Sequence, residues 1–201
     1  MMTQVLLICL IGTLLEMDTT YAFQLTLSRG IIAGPLLSLI TGDLTTGLQV
    51  GIFTELLFID INPLGGLLPP SAAICCTLAM ALCACGIPVY FSFFFAVIGA
   101  ILFSVCELIA RKQRSVWMIR QERNIIQKPA RVNGVICKAL ALSFTMTFVF
   151  VLLFSLIMGS SMDLLLPFIP EKLFLASKFA YMAVPWIGLA TLVSTFRLKT
   201  R

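Results

Sequence analysis

Three carboxylates sit where ordinary surface duty does not explain them: Asp43, Glu55 and Asp60. They fall in residues 30–70, a stretch as apolar as a membrane span that also holds seven of the thirteen glycines and four of the nine prolines. Glu55 has apolar neighbours on nearly every side, in Gly51-Ile52-Phe53-Thr54-Glu55-Leu56-Leu57-Phe58-Ile59. A carboxylate in such surroundings needs a partner, and the hydroxyls of a sugar or a neighbouring amide would serve. Asp43, beside Thr41-Gly42, reads equally well as a turn or cap residue. Ser71, after Pro69-Pro70, reads as the N-cap of the helix that follows, and a cap at a cavity also offers a hydroxyl to a ligand.

The backbone around these groups is irregular by its residue types. A regular helix is not expected to pass Gly34-Pro35, Thr41-Gly42-Asp43 or Asn62-Pro63-Leu64-Gly65-Gly66 without breaking. Broken backbone at membrane depth survives only where protein buries it or where it lines a watery cavity. Discontinuous helices of this kind build the binding sites of many transporters. Gly47-x-x-x-Gly51 adds a small-residue face for close helix approach.

Other chemistries find little support. The seven cysteines (Cys9, Cys75, Cys76, Cys83, Cys85, Cys106 and Cys137) lie in apolar runs, except Cys137. Zinc sites use wider spacings, usually with His, and the chain has no His. The cysteines therefore read as small packing residues. No nucleophile–base pair and no metal-ligand spacing point to an enzyme, and no cofactor is expected.

The elements that must hold these groups belong to a membrane. Hydrophobic residues make up 60% and charged residues 11%, with a mean hydropathy of +1.05. Nine acids and fourteen bases over 201 residues cannot cover a water-facing surface, so much of the outside faces lipid. Residues 88–110, 139–158 and 174–196 are each long enough to cross a hydrocarbon core of about 30 Å. Residues 72–86 are as apolar but only about 22 Å long as a helix, so they are tilted, joined to irregular backbone or part of a span. Residues 5–15 resemble a signal-peptide core with a poor cleavage site at Thr20-Tyr21-Ala22, but no Lys or Arg precedes them; a retained first membrane helix is the better reading.

Eight Lys or Arg against one acid, Glu122, concentrate in residues 111–138, which the positive-inside rule makes a cytoplasmic loop. Alternation then returns the tail, with Arg197, Lys199 and Arg201, to the cytoplasm. The connection 159–173, with Asp163 and Glu171 against Lys172, falls outside. The charges share no helical face and Pro129 interrupts them, so the stretch reads as a topology determinant that also suits a cytosolic partner, not as a nucleic-acid patch. The expected fold is an all-α integral membrane protein. It is a polytopic helical bundle in one domain, 1–201, with broken or re-entrant helices in residues 1–71 and regular helices in 72–201.

The residues quoted above carry a resemblance. Ser28-Arg29-Gly30-Ile31-Ile32-Ala33-Gly34-Pro35-Leu36, then Gly42-Asp43, Thr46-Gly47-Leu48, Gly51, Glu55-Leu56, Gly65-Gly66 and Pro69-Pro70-Ser71-Ala72 follow one ordered pattern. The pattern resembles the C subunit (EIIC) of the mannose/fructose/sorbose class of the bacterial phosphotransferase system (PTS). The resemblance implies a permease subunit in the bacterial inner membrane that binds and translocates a hexose-type sugar with an EIID partner, in an oligomer of C–D pairs. Cytosolic EIIA and EIIB would relay phosphate through their own histidines, leaving the C subunit non-catalytic. It places Glu55, Asn62 and Ser71 near the sugar, with Asp43 as a further candidate.

The chain departs from the pattern in three places. Gly30 stands where Pro is usual after the Arg, Ser71 where Asp is common, and Pro63 where many members have Asn, so that Asn62 is one residue out of register. Family members also continue for further membrane segments, whereas this chain stops at Arg201. The alternative expectation is therefore a reduced or partial EIIC-derived scaffold or regulatory protein that does not transport.

Overall fold

The computed structural model describes residues 2–20, 25–59, 61, 68–127 and 132–199. Among them are seven α-helices and no strand: α1 (Met2–Thr20), α2 (Gly30–Thr41), α3 (Leu44–Phe58), α4 (Ala72–Ala84), α5 (Val89–Gln127), α6 (Val132–Leu165) and α7 (Glu171–Lys199). Four carry stretches long and apolar enough to cross a membrane: Met2–Thr19, Val89–Arg120, Val132–Met162 and Glu171–Ser194. The molecule is thus an integral membrane helical bundle, as its composition requires.

Three short helices form its centre. In α2 and α3 the chain folds back on itself at Gly42, whose φ of +80° only glycine adopts easily. The Gly42 N–H closes α2 on the Ser38 carbonyl at 2.9 Å. The two helices approach backbone to backbone through facing glycine pairs, Gly30 and Gly34 against Gly51 and Gly47. A Cβ added at Gly34 would lie 2.3 Å from the Gly47 carbonyl oxygen, and one at Gly51 2.3 Å from that of Gly30. The expected small face at Gly47-x-x-x-Gly51 therefore meets a second one, Gly30-x-x-x-Gly34.

One expected break is absent. α2 runs through Gly34-Pro35 as a single helix. Pro35 withholds the bond its N–H would give to the Ile31 carbonyl, a cost of about 3 kcal/mol in a helix interior. Gly34 is what the site gains: without a side chain it lets α3 pack close enough to bury Ala33, Leu37 and Ser38 completely. The break at Asn62-Pro63-Leu64-Gly65-Gly66 lies outside the described residues.

α4 is the central helix, with residues 73–82 all buried. Its Ala, Cys and Thr side chains let α1, α2, α3, α5 and α6 pack around it. Gly12 of α1 sits on Thr77, and Gly99 of α5 on Leu78. Cys9, Cys75 and Cys76 are fully buried in this core as small packing residues. With 13 residues α4 spans about 20 Å, well short of a hydrocarbon core. It ends at Gly86, φ +91°, where the Ile87 N–H returns to the Leu82 carbonyl at 3.2 Å.

The outer helices are long. α5 has 39 residues, α6 34 and α7 29. Residues 111–138, expected as a connecting loop, are instead helical to Gln127 and again from Val132. The reason is local: from Arg111 to Gln127 there is no Gly or Pro, and Arg, Lys, Gln, Glu and Met favour helix. A single 3₁₀ turn, Leu166–Phe168, and Pro170 separate α6 from α7. The α7 face carrying Phe179, Met182 and Trp186 is exposed, the pattern of a helix side turned to lipid.

Candidate functional site

α1, α3 and the segment before α4 border an open-sided cavity of about 760 Å³ where α1 and α3 end and α2 and α4 begin. Glu55, in the last turn of α3, lines it with its side chain 27% exposed. Its Oε1 accepts the Gly30 N–H at 2.6 Å, and its Oε2 lies 3.4 Å from Arg29 Nη1. A carboxylate on the first N–H of a helix meets the positive end of the helix dipole and a donor that has no partner inside the helix. Of the two partners expected for Glu55, sugar hydroxyls or a neighbouring amide, the protein itself supplies an amide, the Gly30 N–H, and Glu55 also lines the cavity.

Ser71 lines the same cavity as the N-cap of α4, accepting from the Ile74 N–H at 3.4 Å. Its hydroxyl donates to Glu16 Oε2. Glu16 is the main residue that sequence reasoning missed. It stands one residue past the apolar run 5–15, and the signal was there: an acid near the end of a membrane helix. Thr19, one turn on, brings its hydroxyl within 3.4 Å of Glu16 Oε1. Asp18, also missed, is buried and accepts the N–H groups of Leu25 at 2.7 Å and Leu27 at 2.8 Å, which fixes the approach to α2. Arg111 of α5 also lines the cavity.

The other two predicted residues are elsewhere. Asn62 lies outside the described residues, although Ile61 and Leu68 on either side of its segment both line the cavity. Asp43 is at the opposite end of the short helices, twelve residues before Glu55 along α3, about 18 Å away. It caps α3, accepting from the Thr46 N–H at 3.2 Å and from the Thr45 hydroxyl at 2.6 Å. Hydroxyl donors from Thr45 and Thr46 hold its carboxyl below the ordinary carboxylate range. It lines a separate polar cavity of about 280 Å³ with Gln4, Thr41, Thr46 and Cys83.

A further charged cluster lies beside the main cavity. Glu107 of α5 is buried and binds Arg111 Nε at 3.1 Å and Arg114 Nη2 at 2.5 Å. Arg114 also donates to the Ser143 hydroxyl on α6, so the cluster ties α5 to α6. Arg111 and Arg114, two of the basic residues whose side chains are described in 111–138, therefore have a structural partner within the protein.

The arrangement offers carboxylates from two helices, the hydroxyl residues Thr19, Ser28 and Ser71 and two guanidinium groups around a cavity with apolar walls at Leu56, Phe58 and Pro69. It suits a neutral ligand rich in hydroxyls, which needs both donors and acceptors. A family model described as the PTS system sorbose-specific IIC component matches residues 2–200. No curated protein matches the chain.

Proposed function

The chain belongs to the sorbose-specific IIC family of the phosphotransferase system, and on that premise we propose that the cavity at Glu55, Glu16 and Ser71 takes a hexose-type sugar and passes it across the membrane. One observation carries the reading: polar groups from α1, α3 and the start of α4 converge where three helices too short to span leave room between long ones. Apolar side chains at Leu56, Phe58 and Pro69 wall part of the cavity, and its carboxylates supply the acceptors that sugar hydroxyls need, which supports the reading. Asn62 is proposed as a further contact because the resemblance puts its loop near the sugar, although it stands one residue out of register with the Asn of many members. Asp43, in its own polar cavity at the far end of the short helices, is proposed as a contact for the sugar on the other side.

The rest of the proposal follows the family. The chain acts as one membrane domain, residues 1–71 carrying most of the pathway. It works with an EIID subunit in a bacterial inner membrane, in an oligomer of C–D pairs. Cytosolic EIIA and EIIB supply the phosphoryl group, and the chain itself carries no catalytic residue. The positive-inside rule puts the basic ends of α5 and α6 and the C-terminus in the cytoplasm. Arg111 lines the main cavity, so on this orientation the cavity opens toward the cytoplasm, where phosphorylated sugar is released.

The test is co-purification with the candidate EIID subunit, followed by melting with and without hexoses. A hexose should raise the melting temperature of the pair. Glu16→Gln and Glu55→Gln should insert and assemble, yet lose most of that rise and most of the uptake. Glu55→Gln also loosens the hold on Gly30, so its melting without sugar is measured alongside. Unchanged uptake in both variants would remove these carboxylates from the sugar site. A chain that pairs with no EIID and answers to no sugar would instead be an EIIC-derived scaffold.

A further inference from the structure

α7 turns a face with hydroxyls toward the bundle. Its buried and half-buried residues Phe174, Ser177, Tyr181, Val184 and Gly188 recur at helical spacing, apart from the exposed Phe179, Met182 and Trp186. Ser177 donates to the Phe174 carbonyl of its own helix at 2.9 Å. A tyrosine hydroxyl cannot reach back in that way. Tyr181 is 6% exposed, and its hydroxyl has no hydrogen-bond partner among the described residues. It also lies near the middle of the membrane span Glu171–Ser194, where leaving a polar group unpaired is costly. A phenylalanine would pack there as well, so the hydroxyl calls for a partner that the fold does not supply.

The backbone is weakened at the same residue. Pro185 lies inside α7 and lacks the N–H that the Tyr181 carbonyl would accept. Helices bend at such points. The Tyr181 ring closes on Phe53 of α3, with centroids 4.8 Å apart, and on Phe93 of α5, at 5.3 Å. Along α3, Phe53 stands between the two polar cavities. Thr46, about two turns before it on the same face, lines the Asp43 cavity, and Leu56, about one turn after it, lines the Glu55 cavity. Gly188, about two turns past Tyr181, lies against Leu56, where an added Cβ would be 2.5 Å from the Leu56 Cβ. The seam between α3 and α7 thus runs from one cavity toward the other, with aromatic rings filling its middle.

Resting on the sugar reading above, we propose that the sugar passes between the cavities along this seam. α7 bends at Pro185 to part the rings, and the Tyr181 hydroxyl is the group that the sugar meets on the way. A phenol both donates and accepts, as a sugar hydroxyl does, and its ring offers an apolar wall. A neutral hydroxyl also holds more weakly than the carboxylates at the cavities, and a group in mid-passage must let go.

Tyr181→Phe removes the hydroxyl and keeps the ring. Uptake is measured in cells carrying the complete phosphotransferase system, with labelled sorbose, fructose and mannose, and melting is measured on the purified C–D pair. Without sugar the variant should melt at or above the wild-type temperature, and it should keep the rise that sugar gives. Its maximal uptake should fall about tenfold, the worth of one hydrogen bond, at an unchanged half-saturating concentration. Pro185→Ala gives the Tyr181 carbonyl its helical donor and should likewise slow uptake while the chain still inserts and pairs. Wild-type uptake in either variant overturns the proposal. So does a lower melting temperature of Tyr181→Phe without sugar, which would mean that the hydroxyl has a partner inside the fold. Loss of the sugar-induced rise would put Tyr181 in a resting site and overturn its role in passage. A wild-type system that moves none of the three sugars defeats the sugar reading itself, and this inference with it.

Discussion

The short helices α2, α3 and α4 and the long helices α5, α6 and α7 solve different problems with different residues. The long helices are held in the membrane by length and apolarity, and their outer faces tolerate any lipid-compatible side chain. Phe179, Trp186 and Leu153 are all more than half exposed. The short helices cannot span alone, so glycine contacts, caps and buried small residues hold them together. α4 has no exposed residue between 73 and 82. The difference teaches where the site comes from. α2, α3 and α4 stop short and leave their ends, with caps and acids, inside the bundle beside the end of α1.

The comparison breaks most sharply at glycine. Gly34→Leu should prevent α2 and α3 from pairing, because its Cβ would meet the Gly47 carbonyl oxygen at 2.3 Å and backbone cannot swing away. The cost should exceed the roughly 1–3 kcal/mol of ordinary core overpacking. Gly134→Leu, near the start of α6, meets nothing within 4 Å and should leave the protein unchanged. Size-exclusion profiles and melting curves of the two variants, extracted in the same detergent, test the pair. A monodisperse Gly34→Leu protein with an unaltered melting temperature would sink the close-packing account.

Among the long helices the sensitive point is the buried polar cluster at Glu107, which joins α5 to α6. Glu107→Gln removes the carboxylate that Arg111 and Arg114 share, leaving a guanidinium that is 14% exposed without its counter-charge. Breaking a buried pair in this way costs about 3–5 kcal/mol. The lower figure, about 3, applies because Arg111 is 41% exposed and reaches solvent. Glu107→Gln with Arg114→Leu should recover part of the loss, since no charge is then stranded at Arg114. Thermal melting of the single and double variants decides it, and a double variant no better than the single would argue against the pair.

How much was legible follows the same division. The spans of α5, α6 and α7 were readable because bilayer thickness imposes a length and an apolarity that any sequence must show. Ser71 as a cap, and the turn at Thr41-Gly42-Asp43, were readable from local rules. Glu55 was readable as a carboxylate in need of a partner, but its partner was not, since the Gly30 N–H lies 25 residues away and only the α2–α3 pairing brings it near. Glu16 escaped for a related reason: its meaning lies in Ser71, 55 residues later in the chain. Pro35 misled because the rule that Pro breaks helices weighs the lost hydrogen bond and cannot weigh what Gly34 beside it gains in packing. The separation of Asp43 from Glu55 was hidden likewise, since both lie in one apolar segment but at opposite ends of one helix.

The smallest expected effect sharpens the role of a single cap. Asp43 accepts from the Thr46 N–H and from two threonine hydroxyls at the start of α3, and these donors hold its carboxyl below its ordinary 3.8. A carboxyl with a lowered folded-state value stabilises while it is ionised. Its contribution is therefore complete above the unfolded value and is lost as the pH falls through the folded one. Replacing the cap, Asp43→Ala, should cost about 1 kcal/mol at neutral pH. Asp43→Asn keeps a cap oxygen and should cost less, while removing this group's share of the acid dependence. Melting temperatures of wild type and Asp43→Asn should therefore converge as the pH is lowered through 4 and below. Parallel curves over that range would mean that the Asp43 charge does not hold α3, and would leave the carboxylate available for the sugar contact proposed for it.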